Sequence, residues 1–338
     1  MSEYYTMNSS LEEILDNERL NKKINYLFSP DYYANIGKFL RKRKLKHMVK
    51  LVKTPWGTPF PAQGLLACAN LLISRREAGE ITTIPIWQGV NEEARIETES
   101  VVLVPFLIKN KKNAPCVIIC PGGGYERVAF HHEGIPVAEA LNKKGYNAFV
   151  LNYRVAPNYY PLPQMDLVRG IKLVRANHEK LNINPDDLTI MGFSAGGHLC
   201  GSVAATYDKI PDETHRYDHI SARPDKVCLC YPVSSFINDA HEGSLSNHLG
   251  PESEETRRKQ VSVELMLTKD YPPTYLWACT DDSLVNVNNT INLEKAMENL
   301  EIPHKMKLFL SGGHGIGLGK GTLAEDWLND ALEFLTLK

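Results

Sequence analysis

Two textures divide the chain. Residues 1–80 read as helical, and from Ile81 onward short apolar runs alternate with amphipathic stretches. Ser10 in front of Leu11, with Glu12 and Glu13 behind it, predicts a capped helix start. A second helix is predicted over Tyr33–Val52 and a third over Ala62–Ala78, parted by the Pro- and Gly-rich residues 54–61. Strands are predicted at Ile81–Trp87, Val101–Ile108, Cys116–Cys120, Tyr146–Asn152, Leu188–Phe193, Lys226–Tyr231, Thr274–Ala278 and His304–Leu310. Helices are predicted at Ile135–Lys143, Gln164–Glu179, Ala195–Thr206, Asn289–Asn299 and Thr322–Leu337. That alternation implies an α/β fold whose mostly parallel central sheet carries helices on both faces. The first two strands have no helix between them, which suits an antiparallel start. Residues 207–225 and 233–272 are polar and irregular, and read as loops or a partial cap. The division expected is a helical N-terminal extension over 1–80 and an α/β domain over 81–338.

With 338 residues, 43% of them hydrophobic, the chain has ample material for a large core. A formal net charge of −2 argues against a general nucleic-acid binder. The charge is uneven: residues 1–85 hold 13 Lys and Arg against 8 Asp and Glu, and the remainder holds 25 against 32. The basic excess peaks in Arg41-Lys42-Arg43-Lys44-Leu45-Lys46. The favoured reading of that run is the solvated face of a helix packed on the core. The sharper reading is contact with an anionic membrane, or a mobile lid. Seven cysteines, an odd number without a C-x-x-C, read as small core hydrophobes in a reducing compartment. Met1-Ser2-Glu3-Tyr4-Tyr5 starts polar, and no apolar run approaches a membrane span, so a cytoplasmic protein is expected. Nothing in the pattern singles out an oligomeric interface.

The chemistry concentrates at Gly192-Phe193-Ser194-Ala195-Gly196, a G-x-S-x-G between a predicted strand and a predicted helix. A sharp strand-to-helix turn strains its central residue and pushes that side chain out. Glycines on both sides avoid collision with the neighbouring chain. A serine hydroxyl is a poor nucleophile until a histidine takes its proton and a carboxylate orients the histidine. On such sheets the order along the chain is Ser, acid, His. His314 lies in the glycine-rich loop Leu310–Gly317 directly after the last predicted strand, and is the candidate base. His304 opens a strand after Pro303 and reads as a surface residue. The acid belongs after Thr274–Cys279, where Asp281 and Asp282 both qualify. Asp282 is preferred because Val285 and Asn286 follow it in a D-x-x-V-P-like pattern, with Asn in place of Pro. The oxyanion needs preorganised N–H donors. Ala195 is one candidate; Gly123 and Gly124, in Pro121-Gly122-Gly123-Gly124-Tyr125, are the others. Tyr125 is a candidate substrate contact. Phe130, Tyr159, Tyr160, Phe236 and Trp277 are plausible pocket liners, although aromatic residues more often fill cores. No G-x-G-x-x-G, no P-loop and no H-E-x-x-H occurs, and the adjacent His131 and His132 diverge. Neither a metal nor another cofactor is expected.

Five stretches carry a resemblance to a known superfamily. They are Pro121–Tyr125, His132-Glu133-Gly134, Asn152-Tyr153-Arg154-Val155-Ala156-Pro157, Gly192–Leu199 and Gly312-Gly313-His314-Gly315. Across roughly 95–338 the chain resembles the α/β-hydrolases, and most of all their acetyl-esterase and carbohydrate-esterase branch, which includes bifunctional feruloyl and acetyl xylan esterases. The resemblance implies hydrolysis of small-acyl carboxylic esters, those on sugars among them, with Ser194, Asp282 and His314 as triad. It also implies an oxyanion hole near Gly123, Gly124 and Ala195. The helical leader lies outside the usual core. A peptidase, amidase or lipase on the same fold is the alternative, and a non-catalytic binding protein ranks below both, because all three triad residue types are present.

Overall fold

A computed structural model describes residues 4–17, 20, 38–52, 60–87, 98–109, 111–211, 215–251 and 253–336. The chain forms two compact units, Met1–Ile84 and Pro85–Lys338. Among the described residues no helix is long and apolar enough to cross a membrane.

In the first unit Ser10 caps α1 (Leu11–Leu15) in a reciprocal pair: its hydroxyl accepts from the Glu13 N–H, and Glu13 accepts from the Ser10 N–H. The helix predicted over Tyr33–Val52 is instead two, α2 (Lys38–Arg41) and α3 (Leu45–Leu51); positions 33–37 lie outside the described residues. The break falls inside the basic run. Lys44 bridges Ser10, and the Leu45 N–H donates to the Ser9 carbonyl. Like charges three and four residues apart weaken a helix, and the turn spreads them out. Lys42, Arg43, Lys44 and Lys46 are exposed. Helix α4 (Ala62–Glu77) closes the unit. The Pro/Gly segment 54–61 lies outside the described residues up to position 59.

The strands form one sheet ordered β1-β2-β4-β3-β5-β6-β7-β8, of which β2 to β8 lie in the second unit. Strand β1 is only Ile84–Pro85, shorter than the Ile81–Trp87 predicted, because Pro85 has no N–H to extend a ladder. Strand β2 (Val102–Phe106) runs antiparallel to β4 (Asn147–Asn152). Strands β3 (Ala114–Cys120), β4, β5 (Ile183–Phe193), β6 (Lys226–Cys230), β7 (Thr274–Cys279) and β8 (His304–Phe309) are mutually parallel. The largely apolar runs of β3, β4 and β7 follow from burial on both faces.

Right-handed crossovers explain the layering. From β3 to β4 the chain steps one way, through α5 (Ile135–Lys143). It then crosses back to β5 through α6 (Leu162–Ala176) and α7 (His178–Leu181), and steps onward through α8 (Ala195–Thr206) and later α12 (Asn288–Asn299). Opposite steps of one hand put α5 on one face and α6, α8 and α12 on the other. The order therefore reverses between β3 and β5, and ligands of open α/β sheets bind at such a point. The closing helix α13 (Trp327–Thr336) starts later than the Thr322 predicted, and stacks Trp327 on Trp277 of β7 at 5.2 Å.

Residues 233–272 depart from the expectation of a polar, irregular stretch. They hold α9 (Glu242–Leu249), α10 (Glu255–Val261) and α11 (Val263–Met266). Val233, Phe236, Leu245, Leu249 and Val261 form a buried cluster with Val285. Helices of four to eight residues give too few turns for a periodicity to show in sequence.

A buried ion pair ties the segment just past β4 to helix α6. Arg154 donates to Asp166 from Nε and Nη2, its backbone N–H also donates to that carboxylate, and Trp87 adds its indole N–H. Asp166→Ala leaves the guanidinium buried without its counter-charge. It is expected to lower unfolding free energy by about 3–5 kcal/mol in urea titration, and a loss below about 1 kcal/mol would contradict that role.

Candidate active site

Strand β5 ends in an elbow, and Ser194 occupies it at φ 52° and ψ −120°. This is a sparsely populated backbone region for a residue with a Cβ. The surroundings hold it there. The Ser194 N–H donates to the Cys230 carbonyl at 3.0 Å, and its carbonyl accepts from the Val233 N–H at 3.1 Å. A Cβ at Gly192 would sit 2.1 Å from the Gly196 carbonyl oxygen, and one at Gly196 would sit 2.0 Å from that of Cys120. Only glycine fits either place, so the spacing of the motif is a steric requirement.

The loops after β7 and β8 bring two more side chains to Ser194. The Ser194 hydroxyl lies 2.8 Å from Nε2 of His314, and Nδ1 of His314 lies 2.6 Å from Oδ2 of Asp282. With Nδ1–H donating to the carboxylate, Nε2 is left as the acceptor for the serine proton. The other Asp282 oxygen accepts the Leu284 and Val285 N–H groups, both at 2.9 Å, so the carboxylate is fixed as well as buried. The neighbouring Asp281 does something else. Its exposed carboxylate accepts the N–H groups of Gly313 at 2.8 Å and Gly312 at 3.0 Å, and these bonds pull its carboxyl below the usual range. Asp281 ties down the backbone of the loop; Asp282 holds the imidazole.

On the opposite side, the loop after β3 crosses directly over the elbow. A Cβ on Gly122 would sit 2.8 Å from the Ser194 Cβ. Gly123 and Gly124 follow at φ 126° and 64°. Their N–H groups and that of Ala195, the first residue of α8, find no backbone acceptor among the described residues. Of these three donors, the Ala195 N–H lies next to the serine at a helix N-terminus.

Tyr125 departs from its expected role as a substrate contact, because its side chain is completely buried. Its O–H reaches Nδ1 of His198 at 2.8 Å, and the ring stacks on His248 at 4.4 Å. His198 donates from Nε2 to the Val261 carbonyl at 2.7 Å, and burial lowers its pKa to about 4, so it stays neutral. Tyr125 therefore anchors the glycine loop from beneath. Phe130, Phe236 and Trp277 are likewise core residues, whereas Tyr159 and Tyr160 remain half-buried. His304 is half-buried, with Nδ1 2.7 Å from the Ile302 carbonyl.

Helix α9 adds a residue that the motifs do not reveal. Asn247 donates to the Gly124 carbonyl at 2.9 Å, docking α9 on the glycine loop. His241 caps that helix, and its Nδ1 accepts the Ser244 N–H at 3.1 Å, which leaves the hydrogen on Nε2. Burial, then the nearby His314, lowers its pKa. The only sequence signal was a histidine three residues before a serine at a helix start.

The parallel sheet, the strained serine at its reversal point and the loops converging there define an α/β-hydrolase. A scan of family models matches BD-FAE over residues 106–297. The chain belongs to this family. Among curated relatives, it is 36% identical over 225 residues to an acetylxylan esterase from Xylanibacter ruminicola, covering 64% of this chain and 44% of the relative. It is 33% identical over 229 residues to endo-1,4-beta-xylanase B from Butyrivibrio fibrisolvens, covering 67% and 36%. The chain thus matches less than half the length of either relative. A solved acetyl ester-xyloside bifunctional hydrolase from Caldicellulosiruptor lactoaceticus superposes with a TM-score of 0.66 at 37% identity, covering 74% of this chain and 94% of that one.

The division between the two aspartates has a direct check in the rate at which a fluorophosphonate labels Ser194. Asp282→Asn is expected to slow labelling on the order of 10⁴-fold by destabilising the reactive tautomer. Asp281→Asn is expected to slow it less than about tenfold, as for a bond that only steadies a loop. Equal effects would contradict the assignment.

Proposed function

We propose that this protein is a serine esterase that removes short acyl groups, acetyl foremost, from hydroxyls of carbohydrates. One observation carries the reading: a single imidazole lies within hydrogen-bonding distance of both the Ser194 hydroxyl and the buried Asp282 carboxylate. The relatives' acetylxylan and acetyl ester-xyloside names support the choice of acyl group and alcohol.

The chemistry follows from the geometry. Ser194 Oγ attacks the ester carbonyl as its proton passes to Nε2 of His314. Asp282 stabilises the imidazolium through Nδ1–H. The carbonyl oxygen becomes an oxyanion facing the N–H groups of Ala195, Gly123 and Gly124. Collapse expels the alkoxide, which takes the proton from His314, and leaves Ser194 acylated. Water then attacks the acyl carbon, giving its proton to His314, and a second collapse releases the acid and restores the serine hydroxyl.

Ser194→Ala is expected to lower kcat for p-nitrophenyl acetate on the order of 10⁶-fold, with near-UV circular dichroism unchanged. An unaltered rate would overturn the reading. Across acyl lengths, kcat/KM is expected to be highest for acetate and to fall toward octanoate. A preference for long chains would favour a lipase, and a preference for proline p-nitroanilide over the esters would favour a peptidase.

A further inference from the structure

We propose that Glu133 is a positioning residue that couples the glycine loop over Ser194 to the loop carrying His314. This deepens the esterase reading and rests on it. Glu133 lies in the π-helical turn Phe130–Gly134 before α5, and only 2% of it is exposed. No step of the reaction needs a second buried carboxylate. A methionine or leucine there would fill similar space with a much smaller desolvation cost.

Its contacts show what the carboxylate holds. One oxygen accepts the Gly122 N–H at 2.7 Å, at the root of the glycine loop. The other accepts the Tyr231 O–H at 2.8 Å. The Tyr231 oxygen in turn accepts the Gly317 N–H at 2.9 Å, three residues beyond His314. Backbone N–H groups can only donate, which fixes the direction of the bonds from Gly122 and Gly317. As a carboxylate Glu133 has no proton to give, so it accepts at both oxygens. The Tyr231 ring also stands edge-on to the His314 imidazole, with centroids 4.9 Å apart. Gly317 is clamped twice more: its carbonyl accepts the Trp327 indole N–H at 2.9 Å, and a Cβ on it would sit 2.4 Å from the His132 carbonyl oxygen, in the same turn as Glu133.

One buried side chain therefore fastens both halves of the site. The glycine loop depends on the path of the chain through Gly122, two residues past β3, and His314 depends on the path of its loop through Gly317. Burial raises the Glu133 carboxyl, while the imidazole of His314 opposes that rise. His132 Nε2 lies 3.8 Å from the same carboxylate.

Glu133→Gln is close to isosteric, yet it cannot accept at both ends. If its oxygen stays with Gly122, its amide N–H₂ faces Tyr231. The tyrosine oxygen would then receive two donors, and its own proton would have no partner. Tyr231→Phe removes the same link from the other side and keeps the ring against His314, so it reads the hydroxyl even where Glu133→Gln folds poorly. Each substitution is expected to lower kcat for p-nitrophenyl acetate about 10–100-fold with KM within about threefold, as for a small displacement of reacting groups. The double variant is expected to be no slower than the slower single one, because both break one chain of bonds. A folded single variant with kcat within about twofold of the parent, or losses that multiply in the double variant, would overturn the coupling. Failure of the esterase reading is distinguishable: there the parent protein itself would not hydrolyse the ester, or Ser194→Ala would hydrolyse it as fast as the parent.

Discussion

The conformation of one residue organises this molecule. Ser194 adopts φ 52° and ψ −120°, a geometry that costs a side-chain-bearing residue on the order of 1–3 kcal/mol. The fold sustains it by close approach. Gly196 lies against the Cys120 carbonyl, Gly192 against the Gly196 carbonyl, and Ser194 is bonded through both backbone groups to the segment Cys230–Val233. Relaxing the turn would mean parting β3, β5 and β6 at their buried ends, where Cys120, Gly192 and Leu229 are paired side by side. The stability of the sheet centre thus maintains strain at its rim, and the strain presents the hydroxyl.

Convergence on that hydroxyl follows from topology. Strand order reverses between β3 and β5, so the loops after β3 and β5 part to opposite sides and leave an opening. The β3 loop brings backbone donors from one side; the loops after β7 and β8 bring a carboxylate and an imidazole from the other. The two adjacent aspartates show how closely such loops are specified. Asp282 turns inward to the imidazole, while Asp281 turns to the backbone of Gly312 and Gly313 and shapes the loop that carries it. The insertion between β6 and β7 completes the arrangement through Asn247, His241 and its own apolar cluster.

What was readable in sequence follows the range of the forces involved. Helices Ile135–Lys143 and Ala195–Thr206 have the bounds that pattern suggests, since local periodicity and turn chemistry set them. The elbow was legible because its glycines are a local steric demand. Ser194, Asp282 and His314 could be singled out by type and order, and the structure brings them within bonding distance. Long-range constraints left weaker traces. The break at residues 42–44 comes from a bridge to Ser10, and the short helices of 233–272 take their order from a cluster that includes Val285. Tyr125 looked like a rim residue beside a glycine loop, but His198 and His248 claim its ring. Glu133 was legible only as part of the stretch His132-Glu133-Gly134, with no local mark of what it holds, because its partners lie up to 98 positions away.

The central claim is that Ser194, activated by His314, becomes covalently acylated. Rapid quenching of the protein with p-nitrophenyl acetate, followed by peptide mass mapping, tests it most directly. An acetyl group is expected on the peptide containing Ser194 in the parent protein and none there in His314→Ala. Turnover with no adduct at Ser194 at any quench time, or with an acetyl group carried by a different residue, would contradict it.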